Sequence, residues 1–102
     1  MTGVDLAAKI AGGERPLILD VRSEREFADG HVPGAVNVPF NQVSSRLADV
    51  PGTSGDELIV YCGHGPRAYI AAVALRHAGA RRVVYLRGHW SGWEAAGLPQ
   101  ER

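Results

Sequence analysis

A second cysteine is missing. Cys62 stands alone in 102 residues, so no internal disulfide is possible. Sulfur loaded or oxidised there has no internal partner to discharge it. A lone thiol keeps best in a reducing compartment, which points to the cytoplasm. Long apolar runs are missing too. None approaches the ~20 residues of a membrane span. Residues 1–9 lack a basic start followed by an apolar stretch, so no signal peptide is expected. An excess of either charge is absent, with 11 basic and 11 acidic residues; nucleic acid and acidic membrane surfaces, which need a basic excess, are excluded as partners. The four histidines are scattered without metal-ligand spacing, so neither a metal nor a cofactor is expected. Repeats, low-complexity tracts and linkers are lacking, and one domain over residues 1–102 is the reading.

What is present is an ordinary globular composition, 45% apolar and 22% charged. Four short runs read as strands: residues 17–21, 35–38 (stopped by Pro39), 58–61 and 82–86. Three of them are nearly continuous apolar runs, as in strands buried on both faces of a parallel sheet. A marginal strand is expected before Asp5. Helices are expected between the runs. The first covers residues 5–11 with Asp5 as N-cap and Gly12 as stop. A short one at 23–28 carries a Ser23/Glu26 capping-box pattern. Another at 41–48 has Val43 and Leu47 on one face. The helix at 67–78, ended by Gly79, is apolar nearly all round over 68–75, which predicts deep burial. The last is expected at 90–96. Strands alternating with helices indicate an α/β fold with a mainly parallel sheet.

The third strand runs straight into Cys62, and a helix follows after Gly63-His64-Gly65-Pro66. Ligands in open α/β sheets sit at the carboxyl ends of strands. Two glycines in four residues let successive N–H groups turn inward as an anion cradle. The helix N-terminus adds its positive end, and Pro66 fits the first helical position. A free thiol is only about 3% ionised at neutral pH, and such a cradle favours the thiolate. Free cysteines are often merely buried and inert; the strand, glycine loop and helix together outweigh that reading here.

The segment Cys62-Gly63-His64-Gly65-Pro66-Arg67 resembles the Cys-x-x-Gly-x-Arg active-site loop of the rhodanese family. Three further stretches resemble that family in order. They are Asp20-Val21-Arg22, the run Gly30-His31-Val32-Pro33-Gly34-Ala35, and Leu86-Arg87-Gly88-His89 followed by Trp93 and Gly97-Leu98-Pro99. The resemblance implies a rhodanese-like α/β fold, a mainly parallel five-stranded sheet with helices on both faces. It implies a sulfurtransferase in which Cys62 takes sulfur from thiosulfate or a similar donor and passes it to a thiol, a protein thiol included. By the same resemblance Gly63, His64, Gly65, Pro66 and Arg67 form the substrate-binding loop, with Arg67 supporting it and offsetting anionic charge. Two departures stand out. Gly63 occupies a place where many active members carry a basic residue, and Gly88-His89 a place where glycines are often paired. His89 either crowds the sheet end or lines the pocket.

Asp20 and Arg22, at a strand end, read as an ion pair bracing the loops. His64 either hydrogen-bonds a donor or points to solvent. His31 reads as a turn residue, His77 as a surface residue, and Trp90 and Trp93 as core. A cysteine phosphatase or arsenate reductase is the enzymatic rival, but those enzymes place five residues between Cys and Arg and this chain places four. A smaller loop suits one sulfur atom better than a tetrahedral phosphate. A persulfide carrier or a regulatory interaction module is the other rival.

Overall fold

The computed structural model describes residues 1–52 and 57–102. Its elements run α1 (Gly3–Ala11), β1 (Leu17–Asp20), α2 (Glu24–Asp29), β2 (Val36–Asn37), β3 (Glu57–Tyr61), α3 (Pro66–His77), β4 (Arg82–Tyr85) and α4 (His89–Ala95), with two 3-10 turns at Phe40–Gln42 and Leu47–Asp49. The strands form one parallel sheet in the order β2-β1-β3-β4. The pleat sends alternate side chains to opposite faces. Ile18, Ile59 and Tyr61 therefore meet Leu6 of α1 and Trp90 and Trp93 of α4. Leu19, Leu58 and Val60 meet Ala68, Ala71 and Leu75 of α3 on the other side. Cys62 continues the α3-facing set. Among the described residues no helix is long and apolar enough to cross a membrane.

Five expectations need correction. Among the described residues the sheet has four strands where five were implied. At the β4 edge a single residue does what a further strand would do: the Met1 amine donates to the Tyr85 carbonyl at 3.3 Å, and Arg87 N–H donates to the Met1 carbonyl at 2.8 Å. No strand precedes Asp5, because α1 already starts at Gly3. Its N-cap is Thr2, whose hydroxyl accepts from Asp5 N–H at 3.1 Å, and Asp5 adds favourable charge in the first turn instead.

The helix expected at 41–48 is replaced by the two 3-10 turns. Two apolar positions are too few to anchor a helix here, and Ser45 turns its hydroxyl onto the Gln42 carbonyl, a local bond that competes with helix geometry. Val43 is buried while Leu47 is exposed. Finally, α3 is not buried all round. Ala68, Ala71, Ala72 and Leu75 face the sheet, at helical spacing, whereas Tyr69, Ile70 and Val73 are more than half exposed. A helix laid on one face of a four-stranded sheet has only one side to bury. The capping box of α2 forms as expected, with Ser23 and Glu26 exchanging side-chain and backbone bonds at 3.2 Å each.

Candidate active-site loop

Three strand ends converge on one edge of the sheet. Asp20 of β1 lies in register beside Tyr61 of β3, and Val60 beside Tyr85 of β4. The loop 62–65 leaves β3 there and enters α3 through Pro66 at its first position. Gly65 N–H donates to Cys62 Sγ at 2.9 Å. Cys62 itself has no exposed surface.

Two backbone bonds from α4 set the loop's orientation. Trp90 N–H donates to the Cys62 carbonyl at 2.9 Å, and Ser91 N–H to the Gly63 carbonyl at 3.2 Å. Across a planar trans peptide the N–H points opposite to the carbonyl. Holding the 62 and 63 carbonyls toward α4 therefore turns the N–H groups of Gly63 and His64 away from it, free for an anion. The sequence carries no local signal for this, since the two segments lie far apart in the chain.

The loop's glycines serve different needs. Gly65 sits at φ +135°, and a Cβ there would meet Tyr69 Oη at 3.3 Å and His89 Nε2 at 3.4 Å. Gly63 has no such φ; a Cβ there would meet Arg67 Nη2 at 3.1 Å. The missing side chain makes room for Arg67. That guanidinium makes a bidentate pair with Glu26, at 2.6 and 3.0 Å. The pair holds the Glu26 carboxyl down at about 2, chiefly through the Arg67 hydrogen bond, against the opposing effect of burial. Arg67 is raised in turn, by its bonds to Glu26 first and by Cys62 and Asp20 to a smaller degree. Glu26 was legible as a helix cap; its hold on Arg67, 41 residues away, was not.

Asp20 and Arg22 lie beneath the loops as a buried pair. Arg22 Nη2 meets Asp20 Oδ2 at 2.7 Å and the Gly30 carbonyl at 2.7 Å. The guanidinium stacks 4.6 Å over the Trp90 ring. Burial is the largest single effect and opposes its charge, but the Asp20 hydrogen bonds together with the charges of Asp20, Tyr61 and Glu26 outweigh it and raise it. Burial likewise pushes the Tyr61 hydroxyl well above its usual range, so it stays a neutral group that accepts from Val32 N–H at 3.1 Å. His31 stacks on Phe27 at 3.7 Å between ring centroids, and its Nδ1 faces the Phe27 carbonyl at 2.8 Å. Both tryptophans are buried, and His77 is exposed at the end of α3.

Two clefts flank the loop. One, of about 460 Å³, is lined by Ser23, Phe40, Gln42 and Arg67 among others. The other, of about 510 Å³, is lined by His64, Tyr69, Tyr85, Arg87 and His89 among others. His64 is exposed at the loop's tip, whereas His89 is buried and in contact with it. Cys62 N–H donates to His89 Nδ1 at 3.3 Å.

Comparison with known proteins follows this geometry. The profile of the rhodanese-like domain matches residues 3–96. A protein named sulfurtransferase from Allochromatium vinosum is 33% identical over 94 residues, covering 92% of this chain and 86% of its own. Thiosulfate sulfurtransferase 16, chloroplastic, from Arabidopsis thaliana is 37% identical over 79% of this chain and 76% of its own. The crystal structure of the Alr3790 protein from Anabaena superposes with a TM-score of 0.85 at 30% identity, over 99% of this chain and 80% of that one.

Proposed function

The chain belongs to the rhodanese-like domain family of sulfurtransferases, and from that premise we propose that it moves sulfane sulfur from thiosulfate or a similar donor to a thiophilic acceptor through a persulfide on Cys62. The Cys62 thiolate attacks the outer sulfur of thiosulfate. A new S–S bond forms, the S–S bond of the donor breaks, and sulfite leaves with the electron pair. An acceptor thiolate then attacks the outer persulfide sulfur and restores the Cys62 thiolate. Cyanide plays that part in the assay tube, and a small or protein thiol in a reducing cytoplasm. No external oxidant is needed in either step.

The observation that carries this reading is the cradle around a lone cysteine: Gly65 N–H on Sγ at 2.9 Å, with the Gly63 and His64 N–H groups turned from α4 by its grip on two carbonyls. The N-terminus of the 12-residue α3 adds its positive end. Arg67, held by Glu26, supports the loop more than it neutralises a donor. That same pairing favours a second reading, a persulfide carrier or regulatory module with little thiosulfate activity, because it leaves His64 as the loop's free candidate cation.

Intact-mass measurement after incubation with thiosulfate and a panel of other sulfane donors tests the proposal. One added sulfur is expected on the native chain and none on Cys62→Ser. An equal gain by Cys62→Ser, or hydrolysis of an aryl phosphate without sulfur transfer, refutes it. Loading from other donors with negligible turnover of thiosulfate favours the carrier.

A further inference from the structure

His89 occupies an unusual backbone position. Among the described residues it is the one non-glycine with positive φ, at +52°, a conformation that side chains with a Cβ resist. The fold keeps a buried imidazole there, and its side-chain hydrogen bond among the described residues is to the loop: Nδ1 accepts the Cys62 N–H at 3.3 Å. An acceptor nitrogen carries no proton, so the ring's single proton sits on Nε2. Nε2 lies against Gly65, within 3.4 Å of where a Cβ would stand. The ring is boxed by Tyr69 and Tyr85, with centroids 6.1 and 6.4 Å away. It touches both ends of the loop, the amide of Cys62 and the α-carbon side of Gly65, whose own N–H holds Sγ.

We propose that His89 is a positioning residue for Cys62: its neutral ring fixes the amide at the start of the loop, and a second proton on Nδ1 releases that amide and disorders the cradle, giving sulfur loading an acid limb set by His89. The inference rests on the persulfide reading and adds a residue and a form of regulation to it. A doubly protonated ring would present N–H to N–H at the Cys62 amide. The neighbours bear on this titration from every side. His64 and Cys62 come from the loop, Tyr69 from α3, Tyr85 from β4 and Arg87 from the turn before α4, while the Met1 amine bonds to the Tyr85 carbonyl. Burial first, then His64, lower the basicity of His89 below the usual histidine range, so the neutral ring prevails at neutral pH.

The test pairs two variants with two readouts. His89→Gly removes the acceptor and relieves the positive φ. His89→Asn keeps an acceptor oxygen in the place of Nδ1, tolerates positive φ, and has no proton to gain. In the wild type, ring ¹⁵N NMR should show the Nε2–H tautomer, and the Cys62 amide resonance should titrate with the ring, on the acid side of the usual histidine range. Sulfur loading at neutral pH, followed by intact mass, should fall about fivefold in His89→Gly, the loss of one hydrogen bond. It should stay within about twofold in His89→Asn, with the acid limb that follows the ring lost. An Nδ1–H tautomer, a Cys62 amide indifferent to the ring's titration, or a folded His89→Gly that loads at the wild-type rate overturns the proposal. If the wild type loads no sulfur from any donor, the persulfide reading fails by itself, and the NMR result still decides the role of His89.

Discussion

Glu26→Gln isolates the charge of the Glu26–Arg67 pair. Glutamine serves the α2 capping box as well as glutamate does, and its amide oxygen can still accept one bond from Arg67. What disappears is the negative charge 2.6 Å from Arg67 Nη1. A carboxyl held at about 2 rather than 4.5 corresponds to about 3 kcal/mol of stabilisation at full strength. The Glu26 side chain is 40% exposed, and solvent screening reduces this to about 1 kcal/mol. The depressed carboxyl contributes fully above its unfolded value of about 4.5, and the contribution fades as pH falls toward 2. Urea unfolding followed by the fluorescence of the buried tryptophans should therefore show a gap of about 1 kcal/mol at neutral pH, a melting shift of about 4–8 °C. The gap should close between pH 4.5 and about 2. A gap that persists unchanged in acid would show that shape, not charge, holds the pair, and refute the reasoning.

Two further outcomes follow from the same geometry. Gly65→Ala should destabilise the domain by about 1–3 kcal/mol and slow loading of Cys62, because φ +135° strains any residue with a Cβ and the methyl would press on Tyr69 and His89 at 3.3 and 3.4 Å; equal stability by thermal unfolding would contradict it. Asp20→Asn should cost about 3–5 kcal/mol by leaving the buried Arg22 charge without its partner, and a change under about 1 kcal/mol in denaturant would show that water reaches the site.

Much of the fold was legible because it rests on local signals. The strands at 17–20, 57–61 and 82–85 announce themselves as apolar runs, and the α2 cap as a four-residue pattern. The Cys62 loop was legible for the same reason, since strand, glycines and helix are contiguous. What escaped is tertiary. The Glu26–Arg67 pair, the α4 amides on the Cys62 and Gly63 carbonyls, and the His89 acceptor join segments far apart in sequence, and no periodicity marks them. The burial of α3 was overread because hydropathy states what a helix would bury, not how much sheet is there to cover it. The helix expected at 41–48 failed where Ser45 offered the backbone a local alternative.

On the proposed function, the grip of α4 on the loop decides when Cys62 can load sulfur. The loop belongs to β3 and α3, but the amides that shape it come from a helix docked on the opposite layer through Trp90 and Trp93. In a chain with its sheet formed and α4 still undocked, the 62 and 63 peptides are unrestrained and the cradle is unmade. On the proposed function, sulfur loading at Cys62 is in this sense a certificate of complete folding. Loosening the far layer should silence the thiol before the sheet itself gives way, and a partly folded molecule acquires no indiscriminate sulfur chemistry.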